Sequence, residues 1–444
     1  MLHLSMLLSV VVSILSFGAK TDTTVVNTRA INAAIASCAR QGGGVVTVPR
    51  GTFVTGTIHM RSHVILRLDS GAVLMGSRHL SDYVPLLYDG DLSRYESGRG
   101  TVNYNAATDP QWSLSLIQFV HVTHAGIVGS GTIDGRHVFN AFGEEHRRGP
   151  HTILIADGSH LRFEDFAVMR SANYAFLGYQ VHQSRFRHLH ISEGWDGIHL
   201  RGARRVTISD CEIHTGDDAI AGGYWRNLSI RRCTLNSSCN GIRMIMPSDG
   251  LLVSHCRFYG PGRYPHITSG NRQSLAAICI EPGAWGEAPG PLDHIRIRHC
   301  TTDSVLTPLS VTLGDDNALG TLTVSHLTAL RTTRMALSVK GWGTAGRTRC
   351  VRLSHCDLQF VGIDDPQLPA WFRGRSTSEW PVFPSWGLYF RHVDRLQLRH
   401  TRLTYTGREY RPAILTDDAP LPTSSLLHFN EHADATLSPF VEWK

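Results

Sequence analysis

The sequence predicts an all-β protein built as a parallel β-helix, and three observations support this prediction. A short apolar pattern recurs about every 22 residues, and the segments between its copies are rich in strand and turn residues. One segment with apolar residues at helical spacing precedes the first copies. A unit of this length is too short for a helix-and-strand pair with its loops. Stacked coils of short strands are therefore the architecture that fits the repeat.

The repeat is a run of alternating apolar residues that ends at a small or apolar position, termed here the slot. Cysteine fills the slot five times, at Cys211, Cys233, Cys256, Cys300 and Cys356, and looser copies place Phe166, Leu189, Leu327 and Thr401 there. Neighbouring slots are 22 to 29 residues apart, except for two near-double steps of 44 and 45 residues. A residue type repeated at one position of successive coils forms a column, so we expect a buried column of cysteines rather than a redox or metal site.

The ends and the interruptions of the repeat complete the predicted fold. The segment "NTRAINAAIASCARQGG" has apolar residues at helical spacing and ends at glycine, which predicts a short helix that caps the N-terminal end. Residues 84–114, 134–150, 260–292 and 362–386 break the rhythm and are predicted to be loops that form the walls of a binding groove. Residues 1–16 predict either a signal peptide or the first strand, and residues 17–444 are predicted to form one β-helix domain.

Composition narrows the possible functions. Hydrophobic residues make up 42% of the chain and charged residues 18%, which is typical of a folded protein. The net charge of +6 is not gathered into a run that would mark a nucleic-acid-binding arm. After residues 1–16, no segment of the sequence approaches the run of roughly 20 apolar residues that spans a bilayer. Nine cysteines without a CxxC pair indicate neither a zinc site nor a fully paired disulfide framework. We therefore expect no metal, no cofactor, no nucleic acid and no membrane span, and the oligomeric state stays open.

Three carboxylates fall into register with the repeat. Asp196, Asp218 and Asn240 each follow a slot by seven residues. These side chains should therefore stack on neighbouring coils, roughly 4.7–4.9 Å apart, with Asp217 beside them. Carboxylates this close repel one another when ionised, so one of them should keep its proton near neutral pH. An acid beside a base is what hydrolysis of a glycosidic bond requires.

Other uses of clustered acids stay open at this point. An Asp after glycine often accepts backbone hydrogen bonds in a turn, and grouped acids also bind calcium, which would indicate a polysaccharide lyase or epimerase. Such an enzyme needs a Lys or Arg base, and the sequence near the acids offers Arg201, Arg204 and Arg243 but no lysine. A non-catalytic carbohydrate-binding β-helix would not need the acids, although the fold alone does not exclude it.

The chain resembles the polygalacturonase-like enzymes of glycoside hydrolase family 28 over roughly residues 15–310. The similar segments are "FGAKTD", "GSGTIDG", "RRGPHTILIADGSHLRFEDFAVMRSANYAF", "GWDGIH" and the Gly-Asp-Asp at 216–218. The resemblance implies a right-handed parallel β-helix that acts on pectin by an inverting reaction. It also implies that Asp217 is the general acid and that Asp196 and Asp218 hold and deprotonate the attacking water.

Two departures from the family concern substrate binding. Asn240 stands where the family has a histidine, and Cys279 and Glu281 stand where its arginine and lysine bind a uronate carboxylate. Arg243 and His199 are candidate replacement cations, since arginine suits bidentate contacts with carboxylates. The sequence therefore favours a hydrolase whose cleaved position holds a different pectic or neutral sugar.

The predicted function is a glycoside hydrolase acting on pectic or related polysaccharides or oligosaccharides. The predicted catalytic residues are Asp217, Asp196 and Asp218, and the candidate substrate-binding residues are Asn240, Arg243, His199, Glu281, Trp285 and Tyr174. The two aromatic candidates could stack on sugar rings. A carbohydrate polymer or oligosaccharide is thus the expected partner, and the protein is expected to be secreted or periplasmic.

Overall fold

A computed structural model describes residues 10–99, 104–341, 343, 345–371, 382–429 and 440–443 and shows an all-β chain. The predicted parallel β-helix is confirmed, because strands from successive coils pair in parallel. The residues group into two compact units. The first contains the residues up to Trp195 together with His199–Thr207, and the second contains Asp196–Ile198 and the residues from Ile208 onward.

In the first unit each coil contributes up to three short strands. The strands are Val10–Ser13, Gly44–Val48, Gly51–Thr55, Ile58–His59, Val64–Leu68, Ala72–Gly76, Ser115–Thr123, Gly126–Gly129, Thr132–Asp134, His151–Ser159, Arg162–Glu164, Ala167–Met169, Phe176–His182, Arg185–Arg187 and His190–Ser192. Ile198–Arg204 and Thr207–Ser209 contain residues of both units. The pairing is in register from coil to coil; Phe163, for example, pairs with Phe186, 23 residues later.

The predicted N-terminal helix spans Thr28–Arg40. Its apolar face, made of Ile31, Ala34, Ile35 and Cys38, is buried, as the spacing of these residues predicts. Strand Val10–Ser13 pairs with Gly44–Val48, and residues 1–9 lie outside the described residues. The signal peptide therefore stays a prediction, as does the single domain over residues 17–444. Short 3₁₀ helices span Ile14–Phe17, Leu80–Asp82, Ser93–Tyr95 and Glu144–His146.

The second unit repeats the same plan. Its strands are Glu212–Thr215, Ile220–Gly223, Ser229–Arg231, Thr234–Ser237, Asn240–Met244, Leu252–Ser254, Arg257–Tyr259, Ala276–Ile280, Ile295–Asp303, Thr307–Leu313, Ala318–Thr332, Leu337–Gly341, Arg347–Ser354, Asp357–Val361, Leu388–Arg391, Leu396–Thr406, Ile414–Asp417, Thr423–Phe429 and Phe440–Trp443. A second short helix spans Leu368–Trp371. Among the described residues, no helix is long and apolar enough to cross a membrane.

The slot points into the core, as the repeat predicts. The five slot cysteines are at most 3% exposed and none forms a disulfide. The Sγ atoms of Cys233 and Cys256 donate to the carbonyl oxygens of Arg231 and Ser254, at 3.3 and 3.4 Å. A small apolar side chain with a weak donor suits this position, because the thiol partly satisfies a carbonyl that faces the interior.

One predicted interruption is only partly a loop. Within residues 260–292, Ala276–Ile280 forms a strand that pairs with Asn240–Met244 on one side and Thr307–Leu313 on the other. The long insertion hides this strand in the sequence because it displaces the apolar pattern from the 22-residue period. The strand carries Cys279 and positions Glu281 directly after its end.

Candidate active site

The three acids come together in the second unit, at the bends that precede successive strands. The backbone N–H of Asp218 donates to Asp196 Oδ1 at 3.2 Å. Asn240 in turn donates to Asp218 Oδ1 twice, from its backbone N–H at 3.0 Å and from Nδ2 at 2.9 Å. The predicted column of side chains is therefore present, with Asp218 and Asn240 each hydrogen-bonded to the member on the coil before it.

Asp217 lies beside this column because the chain bends at Gly216 and Asp217. Its carbonyl oxygen accepts hydrogen bonds from Thr215 Oγ1 at 2.8 Å and Ser237 Oγ at 2.6 Å, which fixes the bend. The Asp217 side chain is 13% exposed, and its Oδ2 lies 3.7 Å from His266 Nε2. Of the two adjacent acids, Asp217 is thus the one whose side chain reaches solvent more, since that of Asp218 is 4% exposed.

Burial sets the charge state of the inner acid. Desolvation raises the pKa of Asp218 to about 6; Arg243 works in the opposite direction, and the neighbouring Asp217 carboxyl raises the pKa further. An ionised Asp218 is therefore disfavoured below about pH 6 and available above it. The two adjacent acids are close enough to share protons, so their titrations are best treated as those of a pair.

Arg243 contacts two carboxylates, those of Glu281 and Asp218. Its Nε donates to Glu281 Oε1 at 2.6 Å, and its Nη1 lies 3.5 Å from Asp218 Oδ2. Although burial opposes its charge, Asp218 and Glu281 raise the pKa of Arg243 well above the usual value. The guanidinium lies 5.3 Å from the ring centroid of Trp285, so the ring covers one face of the cation.

Cys239 belongs to the same cluster and was not identified from the sequence. One oxygen of Asp217, one oxygen of Asp218 and the Cys239 Sγ lie within 4.8 Å of one another. Burial, followed by the nearby Asp218 charge, raises the pKa of the Cys239 thiol. A protonated thiol is a poor metal ligand, so this donor set is poorly suited to a cation. The repeat could have revealed the cluster, because Cys239 precedes Asn240 as Asp217 precedes Asp218.

Lys340 is a second residue that the sequence did not reveal. It lies on strand Leu337–Gly341, where burial, then the charge of Arg391, lowers its pKa to about 8. Its Nζ is 4.9 Å from the ring centroid of Phe383, and Glu281 is close enough to favour its charge. Glu281 therefore lies close to two cations, Arg243 and Lys340, although long insertions separate these residues in the sequence.

Two predicted substrate-binding residues, Tyr174 and His199, lie in the first unit. Their rings stack with centroids 4.7 Å apart and planes within 5°. Arg201 Nε donates to His199 Nε2 at 3.0 Å, so this nitrogen is an acceptor and His199 is not a free cation. Both rings are at most 5% exposed, which leaves little surface for a ligand. The structure thus brings the acids, Asn240, Arg243, Glu281 and Trp285 together in the second unit, and Tyr174 with His199 in the first.

Comparison with known proteins agrees with this fold. Residues 123–277 match the family model described as "Right handed beta helix region". A hyperthermoactive exopolygalacturonase from Thermotoga maritima has a similar fold, with a TM-score of 0.59, 13% identity, and coverage of 95% of this chain and 92% of that one.

Two curated relatives carry the sequence similarity. A probable polygalacturonase of Vitis vinifera is 28% identical over 228 residues, which cover 47% of this chain and 43% of that protein. An exo-poly-α-D-galacturonosidase of Dickeya chrysanthemi is 37% identical over 125 residues, covering 28% of this chain and 19% of that protein. The chain therefore matches less than half the length of either relative. The chain is thus a right-handed parallel β-helix that is similar in sequence to polygalacturonases over part of its length.

Proposed function

We propose that the chain is a glycoside hydrolase that cleaves pectic polysaccharides or oligosaccharides. The observation that carries this proposal is the bonded column Asp196–Asp218–Asn240 with the Asp217 carboxyl beside it. Neighbouring carboxylates repel one another when ionised and therefore destabilise a folded chain. Glycosidic hydrolysis explains their presence, because it uses a protonated and an ionised carboxyl side by side. The similarity to polygalacturonases over 228 residues supports the same reaction class.

In the proposed reaction Asp217 protonates the glycosidic oxygen as the C–O bond breaks. Asp196 and Asp218 hold a water molecule, and its oxygen attacks the anomeric carbon while one of these carboxylates takes its proton. Asp218 suits the part of the base above pH 6, because its pKa of about 6 leaves it ionised there yet basic. Asn240 holds Asp218 Oδ1 with two hydrogen bonds, which fixes the carboxylate plane. Attack opposite the leaving group would invert the anomeric configuration.

The cleaved position is proposed to hold a sugar other than galacturonate. Arg243 lies in contact with Asp218, and Glu281 and Asp218 already neutralise its charge. A uronate carboxylate would become a third negative group around one guanidinium. Trp285, which lies over Arg243, offers an apolar face that suits the C–H face of a neutral sugar ring.

The test is to incubate the protein with galacturonan oligosaccharides and with pectic oligosaccharides that contain neutral sugars, each with and without chelator. New reducing ends from the neutral-sugar substrates, unaffected by chelator and inverted by NMR, are expected. Cleavage confined to galacturonan would contradict the proposed sugar. An unsaturated, ultraviolet-absorbing product would identify a lyase, and binding without cleavage would identify a non-catalytic β-helix. Since its substrate is a polymer found outside the cytoplasm, the proposed enzyme is an exported one.

A further inference from the structure

A second column of titratable side chains runs along the surface of the second unit, formed by the residue just before the slot. In this unit the position is histidine in five copies of the repeat: His255, His299, His326, His355 and His400. All five have a left-handed backbone with φ between 47° and 55°, and all five are exposed. The left-handed turn directs each histidine outward while the next residue, in the slot, is buried.

Backbone pairing keeps the five histidines in line. The residues immediately before them pair in parallel from coil to coil, in the order Ser254, Arg298, Ser325, Ser354 and Arg399. The backbone N–H of His255 donates to Arg298 O at 3.1 Å, and that of His355 donates to Arg399 O at 3.0 Å. The spacing of the column is therefore fixed by the β-helix rather than by the side chains.

The imidazole rings stack face to face. Successive ring centroids are 4.9, 4.4, 4.9 and 4.7 Å apart, and the planes of neighbouring rings differ by 5° to 19°. We refer to this stack as the histidine ladder. In the part of the chain that the structure describes, no hydrogen bond or ion pair holds any of the five rings, so their nitrogens are available to a ligand from solvent.

We propose that the histidine ladder binds divalent transition-metal ions of the kind that prefer imidazole, with one ion held between two neighbouring rings. Imidazole nitrogen suits Zn²⁺, Ni²⁺ and Cu²⁺, and the ligand must be the neutral ring. At a metal–nitrogen distance of about 2.0–2.1 Å, two nitrogens on a tetrahedral ion are roughly 3.3 Å apart. Neighbouring rings must turn slightly toward each other to reach this separation, and their exposure leaves them free to do so.

The middle of the ladder is the most favourable place for a cation. His299 and His400 directly follow Arg298 and Arg399, whose positive charges repel a metal ion, whereas His326 and His355 follow serines at the paired positions.

The experiment is a calorimetric titration of the full chain with NiCl₂ at pH 7.5. The test variant is His326→Asn with His355→Asn, since Asn tolerates a left-handed backbone and should keep the fold. The matched control is His188→Asn. His188 also precedes a slot, but its Nδ1 lies 3.1 Å from Asp165 Oδ1, and no imidazole among the described residues of the first unit stacks on it. We expect at least about tenfold weaker binding in the double variant and unchanged binding in the control.

Two further variants locate any remaining nickel. Cys239→Ser removes the thiol of the acid cluster, and His124→Asn interrupts a shorter stack in the first unit, where His124 and His160 have centroids 4.4 Å apart. Both should retain the sites on the ladder. The proposal is overturned if the wild-type protein binds no nickel or if the double variant binds nickel as tightly as wild type does. It is also overturned if Cys239→Ser or His124→Asn, rather than the double variant, loses binding. The proposal stands apart from the hydrolase function, since it needs no activity as a readout.

Discussion

The acid column and the histidine ladder are made by the same device, and they differ in what surrounds them. In both, one position of the repeat is occupied by a titratable or polar residue on successive coils of the second unit. The acids are buried and locked, because Asp196 and Asp218 each accept hydrogen bonds from the next coil. The histidine side chains are exposed, and among the described residues their rings contact one another by stacking without hydrogen bonds.

The difference teaches that the solenoid decides where side chains stack, whereas burial decides what chemistry the stack can perform. Desolvation opposes charge in both columns, so it raises the pKa of Asp218 and lowers that of His326. In the acid column the raised pKa makes the ionised Asp218 a stronger base, and its bonded neighbours keep it in place. In the ladder a neutral ring presents a free nitrogen to solvent.

The largest effect should come from the acid column. Asp217→Asn is expected to reduce kcat at least about a hundredfold on unactivated glycosides, because the leaving oxygen loses its proton donor. An aryl glycoside with a good leaving group needs no proton, so the variant should lose much less activity on it. Steady-state kinetics on both substrates, with circular dichroism to check the fold, would measure the contrast.

Asp249→Asn is the control, because this acid lies away from the column and its Oδ1 is 2.8 Å from His294 Nδ1 on the surface. It should keep wild-type kinetics on both substrates. Equal losses by Asp217→Asn on the two substrates would show that Asp217 is not the general acid. If Asp217→Asn kept full activity, the acid column would have no demonstrated catalytic role and would not differ from the histidine ladder in this respect.

The second effect is on stability. Asp218 has a pKa of about 6 in the folded chain against an ordinary value of 3.8, so the folded state binds this proton more tightly than the unfolded state does. The resulting destabilisation is absent below about pH 4, grows between pH 4 and 6, and is complete above pH 6. Asp218→Asn should therefore stabilise the fold by about 1–3 kcal/mol at pH 7.5, and by almost nothing at pH 4.

Urea unfolding at the two pH values measures this prediction. Asn can still accept the hydrogen bonds of Asn240 through its own Oδ1, so the column keeps its shape. Asp249→Asn serves again as the control and should show no comparable gain. A destabilised Asp218→Asn variant at pH 7.5 would mean that the attraction of Arg243 outweighs burial, and that the column is held together by charge.

The sequence was sufficient for everything that depends on the period alone. Counting seven residues from the slot placed Asp196, Asp218 and Asn240 in one column, and the N-terminal helix and the inward cysteines followed from their spacing. The histidine ladder was equally accessible from the sequence, because a histidine precedes the slot in five copies of the repeat in the second unit.

Other features could not be predicted because insertions break the period. Glu281 follows Arg243 by 38 residues and still bonds to it at 2.6 Å, since strand Ala276–Ile280 returns the chain to the next coil. For the same reason Lys340 lies near Glu281, and His266 lies near Asp217. Burial was also hidden: the pattern shows that Asp218 and Asp217 are adjacent, but only the folded coil shows which of them has lost its water.

The smallest expected effect concerns the histidine ladder and tests whether the charge of one ring lowers the pKa of its neighbour. The pKa of His326 is lowered in the folded chain, so the unfolded state binds more protons as the pH falls below about 6.5 and stability is lost there. His326→Asn removes the central charge, and its Tm relative to wild type should therefore be more favourable at pH 5 than at pH 8. His188→Asn should not show this gain, because the ring of His188 faces the Asp165 carboxylate. The same pH dependence in both variants would mean that the stacked rings titrate independently, and the ladder would then differ from the acid column in coupling as well as in burial.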